Sequence, residues 1–179
     1  AGELVPTEDA PAVELLKRSG AVIFGKTTTT EYGWLAGCSS PLSGLTLNPR
    51  DTTRSSGGSS CGAAAQVAAG WGPLALGSDA GGSVRIPASW CALVGFKPTW
   101  GAIPQAPLSA LGDLAHLSPL TRTLDDCIEA MSVLAHPHPR DPASLYSRAQ
   151  QARPAQQLRI GYALRARPGA WIDPAIESA

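Results

Sequence analysis

Apolar and polar positions along the chain divide it into short elements. Asp9 is placed to cap a helix on which Val13, Leu15 and Leu16 are the apolar positions, and Ser19-Gly20 ends it. The unbroken apolar run AVIFG, residues 21–25, reads as a buried strand with Lys26 at its carboxyl end, where open α/β sheets place ligands. From Trp34 to Arg54 the chain is turn-rich, with Pro41, Gly44, Asn48-Pro49 and Asp51, and no regular structure is expected there. CGAAAQVAAG, from Cys61, reads as a small-residue helix stopped by Gly70, and PLALGS, from Pro73, as a second buried strand.

Farther on, Leu93 to Phe96 reads as a strand, followed by a long loop containing Gly and Pro. Thr123 is placed to cap an amphipathic helix with Leu124, Cys127, Ile128, Met131 and Leu134 on one face and Asp125-Asp126 in its first turn. Residues 136–157 form a polar, proline-punctuated connector. LRIGYAL, residues 158–164, reads as a strand, and Asp173-Pro174 as the start of a helix.

Glycine changes this picture most. Eight glycines fall in the twenty-six residues from Gly57 to Gly82, against an average usage of about 7%. Gly57-Gly58 leads into Ser59-Ser60 and Gly81-Gly82 into Ser83, so two serines follow glycine pairs twenty-four residues apart. Glycine pairs let backbone approach a ligand closely. A pair of flexible linkers is the bland alternative, but linkers do not alternate with core elements in this way.

Charge and cysteine usage exclude several classes. Fourteen basic and fourteen acidic residues give a formal charge of zero, with no basic patch for nucleic acid and no apolar run of membrane-spanning length. Cys38, Cys61, Cys91 and Cys127 are too widely spaced for a metal knuckle and read as buried free thiols. Gly70-Trp71-Gly72-Pro73-Leu74-Ala75 matches G-x-G-x-x-A but precedes a strand instead of following one, and GGSSCG lacks the Lys-Ser/Thr ending of a phosphate loop. His116, His136 and His138 all fall in loop-like stretches, and Ser83 sits in no G-x-S-x-G elbow.

GAVIFGKTTTTEYG, GGSSCGAAAQVAAG and LALGSDAGGSVRIPASWCALVGFKPTWG resemble, in order and spacing, the blocks of the amidase signature hydrolases. The resemblance covers about residues 10 to 135. It implies an α/β fold with a mixed sheet sandwiched between helices, and residues 1–179 as part of one such domain. With no initiator Met, and with the family's domain extending past both ends, a fragment is expected.

The resemblance further implies that Ser83 is the nucleophile, Ser59 a bridging serine on a cis peptide bond and Lys26 the base. A lysine serves as base only when neutral, and a reference pKa near 10.4 leaves about one molecule in a few thousand neutral at pH 7. Burial must therefore assist, since desolvation lowers a lysine pKa by up to roughly 3 to 5. The oxyanion would lie against the backbone N–H groups of Ala80, Gly81, Gly82 and Ser83. Asp79 and Arg85 flank that loop and are expected to hold it rigid, the alternative being a surface ion pair; Arg54 is a weaker candidate of the same sort.

No cofactor is called for. The implied partner is a small amide substrate in the cytoplasm, without nucleic acid or membrane, and a homodimer is allowed. A glutaminase subunit of a tRNA-dependent amidotransferase and a catalytically silent fragment stand as alternatives. Thr28, Cys61 and Ala102 depart from the family pattern close enough to the site to prevent transfer of any one member's substrate.

Overall fold

The computed structural model describes residues 5–147, 169 and 171–177. In chain order the elements are α1 (Pro11–Arg18), β1 (Ser39–Ser40), β2 (Gly44–Leu45), β3 (Leu47–Asn48), β4 (Asp51–Ser55), α2 (Cys61–Ala68), β5 (Leu74–Asp79), α3 (Arg85–Trp90), β6 (Val94–Gly95), β7 (His116–Thr121), α4 (Leu124–Leu134), α5 (Pro142–Ser147) and α6 (Pro174–Glu177).

The sheet that positions the site has the order β5-β7-β6, with both pairings antiparallel. Side chains alternate across it. Ala75 packs with Ala63, Ala64, Val84, Ala88, Cys91 and Leu120 on the side of α2 and α3, whereas Leu74 and Leu76 pack with Ala12, Leu16, Ile103, Ala130 and Leu134 on the side of α1 and α4. This period of two places helices on both faces, an α/β sandwich built here from three strands. Glycine on β5 permits the starts of α2 and α3 to approach closely: a Cβ at Gly77 would stand 2.6 Å from Ser60 Oγ and 2.7 Å from Val84 Cγ2.

Strand β7 lies where the sequence reads as loop. Pro119 argues against a central strand because it cannot donate to a ladder. The exception has a local cause. The Phe96 N–H donates to the Pro119 carbonyl at 3.2 Å, so Pro119 faces β6, and β6 ends one residue earlier, at Gly95 opposite Leu120. The missing N–H therefore points away from β5 and forgoes only the return bond to Phe96, at the end of the β6–β7 ladder.

Several other expectations are corrected. Residues 21–30 form no strand, and Val22 and Phe24 are exposed; an apolar run without a neighbouring strand among the described residues has no ladder to join. Residues 34–54 are not structureless. They hold two hairpins, β1 with β2 and β3 with β4, and the residues that read as punctuation make the turns: the Arg50 N–H donates to Asn48 Oδ1 at 3.0 Å. The N-cap of α1 is Ala10, with no side-chain cap, because Pro11 removes one donor and Asp9 pairs with Lys17 Nζ at 2.6 Å.

Thr123 does cap α4, accepting from the Asp126 N–H at 3.1 Å, but the buried face is narrower than the apolar one. Cys127, Ala130 and Leu134 are buried, while Leu124 and Ile128 are exposed. Part of the stretch from His136 packs back on α1 rather than simply connecting: His138 Nε2 meets Glu14 Oε2 at 3.0 Å, and Arg140 pairs with both Glu14 and Glu8. Residues 148–157 of that connector and the expected strand at 158–164 lie outside the described residues. Asp173-Pro174 opens α6, with the Ala175 N–H on Asp173 Oδ1 at 2.9 Å.

Candidate active site

The centre is the turn from β5 into α3. Strand β5 delivers Asp79, fully buried, to the mouth of this turn, and its carboxylate organises the backbone as far as Arg85. Asp79 Oδ1 accepts from the Gly82 N–H at 2.8 Å and from Arg85 Nη2 at 2.8 Å. Its Oδ2 accepts from the N–H groups of Val84 at 3.1 Å and Arg85 at 3.2 Å and from Arg85 Nε at 3.0 Å. Burial alone would push this carboxyl up, but the Arg85 fork and the three backbone donors outweigh it and bring its pKa down to about 2.

Gly82 has φ +116°, a conformation that favours glycine, so the chain can double back around the carboxylate. Gly81 is exposed and has open space where a Cβ would be. Ser83 is half-buried. Of the four amides named as oxyanion donors, that of Gly82 is already given to Asp79.

The second glycine pair comes directly against this turn. The Ser60 N–H donates to the Ser83 carbonyl at 3.1 Å, and Ser60 Oγ bridges both backbone groups of Ser78, at 3.3 and 3.4 Å. Ser59 is buried, and the Gly58–Ser59 peptide bond is cis. The Ser59 carbonyl accepts from the Thr30 N–H at 3.3 Å and from Thr29 Oγ1 at 3.0 Å, and the Gly62 N–H donates to the Thr28 carbonyl at 2.9 Å. A Cβ at Gly58 would collide with the Gly37 carbonyl oxygen, and one at Gly33 would stand 3.4 Å from Ser59 Oγ. Residues 28–30, 58–62 and 83 therefore form one hydrogen-bonded unit.

Lys26 is not drawn into it. The residue is exposed on the segment that forms no strand, two positions before the threonines that bind the Ser59 loop. Arg54 is also peripheral, paired with Asp51 at 2.9 Å on the surface. All four cysteines are free and buried. Two departures from the expected pattern meet each other: Cys61 Sγ lies 3.4 Å from the Thr28 carbonyl oxygen and 3.9 Å from Thr28 Oγ1.

Sequence reasoning missed three participants. Ser60 and Thr29 carry the contacts between the loops, and only their place beside Ser59 and Lys26 could have flagged them. His116, read as a loop residue, opens β7 directly opposite Asp79.

A family description for amidases matches residues 2–179. The chain belongs to the amidase family. It is 45% identical to a glutamyl-tRNA(Gln) amidotransferase subunit of Methanococcoides burtonii, over 142 residues that make up 79% of the chain and 30% of that protein. It is likewise 45% identical to an acylamidase of Rhodococcus erythropolis, over the same shares. Among solved structures it resembles a substrate-bound 6-aminohexanoate cyclic dimer hydrolase, with TM-score 0.71 and 40% identity over 75% of this chain and 29% of that one. An allophanate hydrolase of Kluyveromyces lactis matches with TM-score 0.75 and 35% identity over 78% and 23%. This amidase chain spans about 30% of the length of the curated relatives it matches. Among its described residues no helix is long and apolar enough to cross a membrane.

Proposed function

We propose that the protein carrying this chain hydrolyses the C–N bond of a small linear carboxylic acid amide through an acyl-enzyme on Ser83. The observation that carries the reading is the 3.1 Å hydrogen bond from the Ser60 N–H to the Ser83 carbonyl, which joins two glycine-pair loops twenty-four residues apart and brings both serine segments to one place. Amides resist hydrolysis because nitrogen donates into the carbonyl and leaves poorly as an anion. The site must therefore activate a nucleophile, hold an oxyanion and protonate nitrogen.

Ser83 Oγ attacks the carbonyl carbon while its proton passes through Ser59 Oγ to a neutral Lys26. The oxyanion rests against backbone N–H groups of the 80–83 loop. On collapse the C–N bond breaks, and the proton returns through Ser59 to the leaving nitrogen. Water then repeats the sequence on the Ser83 ester, releasing the acid. Asp79 and Arg85 support the loop and touch no reacting atom. Lys26 needs burial that this segment alone does not supply, so residues 1–179 by themselves are expected to turn over slowly or not at all; rates from the isolated segment equal to those of the whole protein would refute this.

The reaction calls for no cofactor, nucleic acid or membrane, and the reading places the protein in the cytoplasm, with a homodimer compatible with it. Labelling the whole protein with a fluorophosphonate tests it. Ser83 should carry the label, and labelling undiminished in Ser83→Ala would overturn the assignment. The 45% identity to an amidotransferase subunit favours a second reading, a glutaminase working within a complex. Glutamine hydrolysis that depends on added partner subunits would support it, and robust turnover of simple amides by the isolated protein would count against it.

A further inference from the structure

The ring of His116 is held beside the β5–α3 turn, although nothing in the proton relay uses it. Asp79 and His116 are paired residues at the end of the β5–β7 ladder. His116 Nδ1 lies 2.8 Å from the Leu114 carbonyl oxygen and 3.3 Å from the Asp79 carbonyl oxygen. Both are acceptors only, so Nδ1 carries the proton and donates to the two of them, and in the neutral ring Nε2 holds the lone pair.

The Asp79 carbonyl is one end of a trans peptide whose other end is the Ala80 N–H, pointing the opposite way. A donor on that carbonyl fixes the plane of the peptide and polarises its N–H, because hydrogen bonds in a chain strengthen one another. Asp79 is thereby held at both ends: its carboxylate by Arg85 and the amides of Gly82, Val84 and Arg85, its carbonyl by His116. With the Gly82 amide already committed to the carboxylate, the direction of the Ala80 amide weighs more in what the loop can offer an anion.

We propose that His116 is a positioning residue of the oxyanion loop, its Nδ1–H fixing the Asp79–Ala80 peptide so that the Ala80 N–H is aimed at the oxygen that becomes negative in the transition state. This rests on the acyl-enzyme reading above. Because the effect passes through one peptide, it is smaller than the roughly 10² to 10³ expected for a donor that touches the oxyanion itself.

The test uses the whole protein and a chromogenic amide, with Ser83→Ala as the reference for background. His116→Ala should lower kcat about tenfold and leave KM within about twofold. His116→Asn, whose amide N–H can stand where Nδ1–H stood, should recover most of the loss. Nitrogen NMR of the wild-type histidines is a second readout that needs no variant, and it should find the Nδ1–H tautomer at His116. An unchanged kcat in His116→Ala, a His116→Asn as impaired as the alanine variant, or an Nε2–H tautomer would overturn the proposal. If Ser83→Ala keeps full turnover, the acyl-enzyme reading falls and this inference with it. If Ser83→Ala is inactive and His116→Ala behaves as wild type, only the role of His116 is refuted.

Discussion

Replacing Asp79 by Asn removes one charge and almost no volume, yet it strikes the most densely bonded side chain near the site. Five donors converge on its two oxygens, three of them backbone N–H groups of the turn. An asparagine amide nitrogen at either position would face donors with a donor. Arg85 is half exposed, so the cost comes mainly from the backbone donors of the turn: leaving them unsatisfied costs about 1–3 kcal/mol each, together about 3–5 kcal/mol, a large share of the 5–15 kcal/mol that holds a domain together. Titration expresses the same bonds as a pH dependence. The folded pKa is about 2 against an ordinary value of 3.8, which corresponds to about 2 kcal/mol at 1.36 kcal/mol per pH unit. A depressed carboxyl contributes stability that is fully present above its unfolded pKa and is lost as pH falls through its folded one. The gap in unfolding free energy between wild type and Asp79→Asn, read from urea titrations of the whole protein, should therefore be about 3–5 kcal/mol at pH 7 and shrink by about 2 kcal/mol between pH 5 and pH 2. A gap below about 1 kcal/mol at pH 7, or one that does not change with pH, would refute the claim that this carboxylate is ionised and fully bonded.

Lys26→Ala and Ser59→Ala should each slow acylation of Ser83 by at least about 10²-fold at pH 7, with the residual rate of Lys26→Ala climbing with pH; stopped-flow labelling by an activated ester reads both. Gly81→Ala should leave unfolding free energy within about 1 kcal/mol of wild type, because open space surrounds that position, whereas Gly82→Ala should cost more than about 2 kcal/mol, since φ is +116° and the new Cβ would stand 2.9 Å from Ile86 Cδ1. Parallel urea titrations decide between them, and equal costs would contradict the loop geometry. Thr123→Ala should remove about 1 kcal/mol by uncapping α4, seen as a fall of a few degrees in Tm, while Asp9→Ala should not uncap α1, whose N-cap is Ala10.

How far the sequence could be read depended on whether a residue's role is local. Helix α2, its Gly70 stop, the Thr123 cap and strand β5 depend on neighbours within a few positions, and all were legible. The glycine pairs marked the two loops because their spacing survives in the sequence. Strand β7 was hidden because Pro119 is tolerated only where β6 stops short, a fact about a partner some two dozen residues away in sequence. Residues 21–25 failed in the opposite sense: their composition suits a buried strand, but burial requires neighbours that composition cannot provide. The role of Ser60 was invisible for a related reason, since a serine beside another serine carries no sign of which carbonyl its amide will meet.

The order β5-β7-β6 has a consequence for synthesis. The strand that delivers Asp79 is completed long before the strand that pairs with it, for His116 lies 37 residues downstream of Asp79 and β7 ends only at Thr121. As the chain leaves the ribosome, at about 5–20 residues per second, β5 and the glycine-rich turn behind it wait for several seconds with an unpaired edge. Until then the turn has its Asp79 carboxylate bonds but lacks the support of β7, so the nascent chain should be less reactive toward electrophiles at Ser83 and open to strand exchange with a neighbouring nascent chain. Synonymous codons that slow translation between residues 80 and 116 would lengthen that exposure, and a chaperone that shields the β5 edge would be most needed there.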